Sequence, residues 1–205
     1  MIKTMIAIFL ALLLTACSSS EKEKTTTTTE KQEKTVDKAT VIESSSTTTK
    51  SQKVEVKKTI LTINTLDEKE IKVVETEGGL TFQGHENKVV FLVLFGYRCP
   101  PCLKEMPNLI ALMKKNYPDL EIIAIEVQGL NSEQLEEFKE RKGINYTLAL
   151  GSENNRFISY VASKAQWHGA IPFFLSFNKK GEVKVVHVGA LNYKQLESIY
   201  TDIHK

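Results

Sequence analysis

The chain has 205 residues, of which 41% are hydrophobic and 25% charged, and 27 basic against 25 acidic side chains give a formal net charge of +2. Because both signs of charge are interspersed, the composition marks no surface for nucleic acid. The first apolar run, of about ten residues, is too short to cross a bilayer as a helix, and no later run is long enough either.

The predicted elements begin with a signal peptide over residues 1–16. Lys3 supplies a positive charge, and Met5 to Leu14 form the apolar core. The sequence Leu14-Thr15-Ala16-Cys17 that follows resembles a bacterial lipobox, in which cleavage precedes the cysteine and the cysteine is lipidated. Acyl chains on Cys17 would hold the protein on a membrane surface. An ordinary secretory cleavage site beside an incidental cysteine is the alternative.

Residues 17–57 are predicted to form a lipidated N-terminus and a disordered tether. This segment is rich in Ser, Thr, Lys and Glu, and its part from Ser18 to Lys53 has no Gly, Pro or aromatic residue. Such a composition cannot bury enough apolar surface to offset the loss of chain entropy on folding. The tether would let the folded part search the space above the membrane.

Residues 58–205 are enough for one domain with its own core. This domain contains two cysteines, Cys99 and Cys102, and in an exported protein with Cys17 lipidated they can pair only with each other. We therefore expect the core to stabilise the domain and the cysteine pair to remain free to open and close.

Strand and helix patterns alternate along this domain. Strands are predicted at 59–65 and 70–74 as an added N-terminal hairpin, and then at 88–95, 120–127, 144–150, 173–177 and 182–188. Helices are predicted after Cys99, after the capping boxes Asn131–Gln134 and Asn192–Gln195, and after a cap at Ser152. The continuous apolar run at 88–95 is typical of a strand buried on both faces.

The stretch FGYRCPPCLKEMP (95–107) places both cysteines at a junction between a strand and a helix. Apolar residues recur at helical spacing after Cys99, and proline suits a first helical turn, where its missing N–H costs nothing. Three residues of separation in a helical turn bring the two Cβ atoms to about 5–6 Å, within a small adjustment of disulfide geometry.

The strand and helix order, the pattern F-x-x-x-C-P-P-C-x-x-x-x-P and the later Gly169-Ala170-Ile171-Pro172 resemble the thioredoxin-like superfamily. Within it, they resemble the TlpA/ResA-like membrane-anchored thiol-disulfide oxidoreductases. The resemblance implies an α/β thioredoxin-like fold, a central mixed β-sheet flanked by helices, with an added N-terminal β-hairpin and a central helix-strand insertion. Phe95 and Arg98 stand where that family usually has tryptophan, and Val93 stands where many thioredoxins bury an acid.

A helix N-terminus lowers the pKa of a cysteine, and Arg98 would add to this effect. We therefore assign Cys99 as the attacking thiolate and Cys102 as the resolving thiol. Because Pro100 and Pro101 have no N–H to donate to the Cys99 sulfur, the thiolate should be less stabilised than in the strong oxidants of this fold. The pair is accordingly expected to lean towards reduction of substrates.

The resemblance also implies roles for Glu105, Ile171 and Pro172. Glu105 matches a carboxylate that the ResA-like proteins keep near their thiols, where it would shuttle the proton of Cys102. The alternative is a solvated helix charge. Pro172 would be cis and face the cysteines, which would leave the Ile171 backbone free for strand-like pairing with substrate. The alternative is a proline that merely starts a strand.

The leading hypothesis is an envelope enzyme that reduces or exchanges disulfides in exported proteins, with apocytochrome c as one candidate. A membrane electron donor of the DsbD/CcdA type would recharge it. The resemblance implies no cofactor beyond the Cys99–Cys102 disulfide and no metal. We expect a monomer outside the cytoplasm, on the periplasmic side if two membranes exist, with no nucleic-acid partner.

Three other interpretations remain. An oxidase that introduces disulfides would use the same site. A metal-binding chaperone would use Cys99, Cys102 and a histidine, although one C-x-x-C lacks the second pair that a structural zinc site requires. A surface lipoprotein that only displays an interaction face would tolerate the loss of both thiols.

Overall fold

The computed structural model describes residues 58–205. The predicted signal peptide (1–16), the lipidation site Cys17 and the tether (17–57) lie outside the described residues. None of the helices within 58–205 is long and apolar enough to cross a membrane.

The chain first forms a small antiparallel sheet with the order β1-β2-β3. Its strands are β1 (Ile60–Asn64), β2 (Glu70–Glu75) and β3 (Leu80–Phe82). The predicted hairpin of β1 and β2 is confirmed. Strand β3 was not predicted, since a strand of three residues is too short to display an alternating pattern. Isolated bridges tie this sheet to both edges of the main sheet, through Thr65 with Ala149 and Gly79 with Glu182.

The main sheet has five strands in the order β6-β5-β4-β7-β8. These are β4 (Val89–Phe95), β5 (Leu120–Glu126), β6 (Thr147–Leu150), β7 (Phe173–Phe177) and β8 (Val183–Val188). Strand β4 pairs in parallel with β5 and antiparallel with β7, so the sheet is mixed, as predicted. Strand β6 lies outside the four strands β5-β4-β7-β8, and together with the helix before it forms the central insertion.

Four helices flank this sheet: α1 (Pro100–Lys114), α2 (Ser132–Lys142), α3 (Asn155–Ala165) and α4 (Tyr193–Ile203). Both predicted capping boxes, Asn131 with Gln134 and Asn192 with Gln195, are present. The predicted cap at Ser152 is wrong, because Ser152 lies in a 3-10 turn, Gly151–Glu153, and α3 begins after Asn154.

The core lies on both faces of β4, all seven residues of which are buried. Val89, Phe91, Val93 and Phe95 pack with apolar residues of α1, α2 and α4. Val90, Leu92 and Leu94 pack on the opposite face with β1, β2, β3 and α3. This alternation explains the continuous apolar run in the sequence, because each face of the strand meets its own layer.

Asn154 links the end of β1 to the end of β6, and its replacement tests the importance of this link. Its side chain is 2% exposed; it accepts the Asn64 N–H at 2.8 Å and donates to Asn64 O at 2.9 Å and Leu150 O at 2.8 Å. Asn154→Ala would leave these buried backbone groups without partners. We expect a loss of about 1–3 kcal/mol in the free energy of unfolding, measured by urea denaturation. Asn155→Ala, an exposed neighbour, should change it little, and equal losses in both variants would contradict this account.

Candidate active site

The two cysteines lie at the N-terminus of α1, directly after the carboxyl end of β4. Cys99 is the N-cap residue, with extended backbone (φ −82°, ψ 109°), and Pro100 and Pro101 occupy the first helical positions. The Cys102 N–H lies 3.3 Å from Cys99 Sγ. Within residues 100–102, Cys102 therefore supplies the only backbone N–H for the Cys99 sulfur, since both prolines lack one.

Cys99 and Cys102 form a disulfide, with their Cα atoms 5.2 Å apart. Cys99 is 6% exposed and Cys102 is 3% exposed. Both cysteines are therefore buried in the oxidised form and belong to the same core cluster. They differ in position, because Cys99 is the N-cap residue beside the Ile171 carbonyl, whereas Cys102 lies inside the helix.

The loop before β7 faces Cys99. The Ile171–Pro172 peptide bond is cis, as the resemblance implied, and Cys99 Sγ lies 3.6 Å from Ile171 O. Trp167 stacks on Phe173 with a centroid separation of 5.7 Å, and its Nε1–H donates to Ala170 O at 2.6 Å. Trp167 thus packs behind the loop and ties its two ends together.

Glu105 lies one helical turn after Cys102 and is buried, with 1% of its surface exposed. Its Oε1 accepts the Leu191 N–H at 2.9 Å. Burial raises the pKa of Glu105 to about 7, against the lowering effect of that hydrogen bond. Of the two alternatives for Glu105, the structure therefore rules out a solvated helix charge.

A small cavity beside Glu105 is also lined by Cys102 and Tyr146. Burial raises the pKa of Tyr146, so its phenol is neutral near physiological pH. The carboxyl group of Glu105 is then the one ionisable acid among these three residues that can change its charge near neutral pH while Cys102 is in a disulfide.

Arg98, predicted to assist the Cys99 thiolate, is exposed, and its guanidinium carbon lies 4.7 Å from the centroid of the Tyr97 ring. Its backbone N–H donates to Gln128 Oε1 at 2.9 Å. The Arg98 backbone therefore takes part in holding the loop before Cys99, whereas its charged group lies over the Tyr97 ring.

Two residues of the site were not predicted from the sequence: Glu126, the last residue of β5, and Gln128, two residues later. Glu126 is 1% exposed, and its carboxylate accepts several backbone N–H groups around the site. The available signal was the presence of two acidic residues, Glu121 and Glu126, in the otherwise apolar stretch 120–127, because a charge in a buried strand needs partners.

Two of the four histidines have structural surroundings. His85 Nδ1 lies 3.2 Å from a Glu121 carboxylate oxygen, and the His204 ring stacks on Tyr200. Within residues 58–205, no three His, Cys, Asp or Glu side chains form a group able to hold a metal ion.

Comparisons with known proteins agree with this geometry. The model of the AhpC/TSA family matches residues 67–186. The thiol-disulfide oxidoreductase ResA of Halalkalibacterium halodurans is 27% identical over 116 residues, which cover 55% of this chain and 60% of that protein. ResA of Geobacillus kaustophilus is 29% identical over 125 residues, which cover 56% and 67%. The matched region thus spans about 60% to two thirds of these curated relatives.

Solved structures share the fold. A thiol:disulfide interchange protein of the thioredoxin family from Chlorobium tepidum superposes with a TM-score of 0.56 at 19% identity, covering 71% of this chain and 94% of that one. StoA from Bacillus subtilis gives 0.52 at 17% identity, covering 68% and 95%. At these identities the likeness concerns the fold, which is thioredoxin-like as predicted.

Proposed function

The chain belongs to the AhpC/TSA family, and from its site we propose that it is a thiol-disulfide oxidoreductase that reduces or exchanges disulfides in exported proteins. One observation carries this proposal above the others. A disulfide across the first turn of α1 presents Cys99 to the Ile171–Pro172 loop, with a buried carboxylic acid one turn further along the helix. A surface that only binds partners has no need of this combination.

In the reduced enzyme, the Cys99 thiolate attacks a substrate disulfide. A bond forms between Cys99 Sγ and one substrate sulfur while the substrate S–S bond breaks, and the leaving thiolate takes a proton. Cys102 Sγ then attacks Cys99 Sγ, which restores the internal disulfide and releases the second substrate thiol. Two electrons pass from the enzyme dithiol to the substrate. The place of Cys99 as the N-cap residue of α1, 3.6 Å from Ile171 O, supports this order of attack.

Glu105 is the proposed acceptor of the Cys102 proton in the second step. Cys102 must lose its proton to attack, and in the core it has little access to water. A carboxyl group with a pKa of about 7 can both accept and release a proton near neutral pH. Ile171 and Pro172 would hold the substrate, with the Ile171 backbone pairing with an extended segment that carries the substrate cysteine.

The cellular setting is proposed from the sequence. The signal peptide and the lipobox ending at Cys17 favour a lipid-anchored protein of the bacterial envelope. Its substrates would be exported proteins with cysteines, apocytochrome c among the candidates. A membrane electron donor of the DsbD/CcdA type would return electrons to the Cys99–Cys102 disulfide, so that no further cofactor is needed.

Measurement of the reduction potential tests the direction of electron flow. Because Cys102 has the only N–H within residues 100–102 that can reach the Cys99 sulfur, the reduced form is weakly stabilised. We expect the full chain, equilibrated in dithiothreitol and glutathione buffers, to show a potential below about −200 mV. A potential above about −150 mV would contradict the reductase and favour the disulfide-forming oxidase.

A further inference from the structure

We infer that Gln128, held in place by Glu126, is a positioning residue that fixes the backbone ahead of Cys99 and so sets the reactivity of this cysteine. The inference rests on the proposed function, because it concerns the same thiol. It assigns a role to a segment after β5 that lies far from the cysteines in sequence and contributes no reacting atom.

The backbone between β4 and Cys99 is held from outside the loop. The Cys99 N–H donates to Gly96 O at 3.2 Å, which is a bond within the loop. The Tyr97 N–H lies 3.4 Å from Glu126 Oε1, and the Arg98 N–H donates to Gln128 Oε1 at 2.9 Å. Two of these three consecutive N–H groups therefore have acceptors on the segment that follows β5.

That segment is itself organised around the Glu126 carboxylate. Its oxygens accept the N–H groups of Gln128 at 2.9 Å, Gly129 at 3.0 Å and Leu130 at 3.0 Å. These hydrogen bonds hold the backbone of Gln128 in the position from which its side chain contacts the Arg98 N–H.

The lack of a side chain at Gly96 leaves space for the Gln128 side chain. A Cβ atom at residue 96 would lie 2.2 Å from Gln128 Cδ and 2.4 Å from its Oε1, closer than van der Waals contact allows. The glutamine amide therefore packs directly on the glycine, and only the absence of a side chain at this position lets it reach the Arg98 N–H.

The consequence for Cys99 follows from the two prolines. With Pro100 and Pro101 lacking N–H groups, the Cys102 N–H at 3.3 Å is the donor at the helix start that can stabilise a Cys99 thiolate. This contact depends on Cys99 remaining in its N-cap conformation. A loop freed from Gln128 would hold that conformation for less of the time, so the thiolate would form at higher pH.

Alkylation kinetics of Cys99 test the inference. The full chain carrying Cys102→Ser is reduced and treated with iodoacetamide across a pH series, and modification is followed by mass spectrometry on the peptide that contains Cys99. Gln128→Met keeps the side-chain length but removes the acceptor. Gly96→Ala displaces the glutamine by a different route. We expect both to lower the alkylation rate at neutral pH about two- to fivefold and to shift the pH profile upwards.

Asn178→Leu is the matched control, because the Asn178 Oδ1 accepts loop N–H groups of Lys180 and Glu182 at the opposite end of β7. It should affect stability without moving the pH profile. Profiles of Gln128→Met and Gly96→Ala that coincide with the parent's would overturn the inference, as would an equal shift in Asn178→Leu. If the unmodified chain, with both cysteines present, shows no thiol exchange with disulfide substrates, the proposed function fails instead. The two failures are thereby distinguished.

Discussion

Replacing Cys99 with serine is expected to abolish disulfide exchange by the full chain, lowering the rate of reduction of a protein disulfide by at least about a thousandfold. Serine is nearly isosteric with cysteine but cannot form the sulfur bond on which the reaction depends. The rate is measured with insulin as substrate and dithiothreitol as the source of electrons. Cys102→Ser should also stop turnover, but after the first step, so that the substrate remains joined to Cys99.

Cys17→Ser is the matched control for both variants, since it removes the third cysteine of the chain and leaves the pair at the start of α1 intact. In detergent solution it should reduce insulin as fast as the parent. Exchange that persists in Cys99→Ser, or that disappears in Cys17→Ser, would contradict the assignment of Cys99 as the attacking residue.

Glu105 is expected to make the stability of the oxidised protein fall as pH rises. Its pKa is about 7 in the folded state, against an ordinary value of 4.5. Between these two values the folded state binds more protons than the unfolded state, so stability decreases with increasing pH. The contribution is fully present below about pH 4.5 and is lost as pH rises through about 7, a change of about 3 kcal/mol.

Glu105→Gln removes this titration while keeping an oxygen that can accept the Leu191 N–H. Urea denaturation of the oxidised variant should show a flatter dependence of unfolding free energy on pH, with higher stability than the parent at about pH 8. Glu137→Gln, an exposed carboxylate on α2, is the control and should leave the parent's profile unchanged. A parent protein whose stability rises between about pH 5 and pH 8 would contradict the burial of an acid with a raised pKa.

Glu105→Gln also tests whether the carboxyl group takes part in proton transfer. If the carboxyl group accepts the Cys102 proton, Glu105→Gln slows the resolving step but leaves the attack of Cys99 on a substrate unchanged. Formation and decay of the mixed disulfide, followed by rapid quenching with acid, distinguish the two steps. Equal rates of decay in the variant and the parent would leave Glu105 without a part in proton transfer.

Local rules predicted much of the fold. The apolar run at 88–95, the capping boxes at Asn131 and Asn192 and the proline pair after Cys99 each fix a boundary through contacts with near neighbours in sequence. The short strand β3 and the start of α3 were missed or misplaced because tertiary contacts define them. Asn154, for instance, pairs with Asn64, which is 90 residues away.

Some features of the candidate site could likewise be predicted from the sequence, and others depend on contacts between distant residues. The sequence places Cys99 and Cys102 one turn apart, but the burial of Glu105 depends on Leu191, which is 86 residues distant. The support from Gln128 likewise depends on the pairing of β4 with β5, which sets Phe95 beside Glu126. Residues that react can be recognised from their spacing, whereas residues that hold them in place become visible only once the sheet is assembled.

The most direct test of the proposed function is the capture of substrates in cells that express the full chain with Cys102→Ser. Proteins joined to it are isolated after acid quenching, and the linked cysteine is identified by mass spectrometry. We predict mixed disulfides between Cys99 and cysteines of exported proteins, all of them absent when Cys99→Ser is added. An absence of covalent partners, or the same partners in the double variant, would contradict the account.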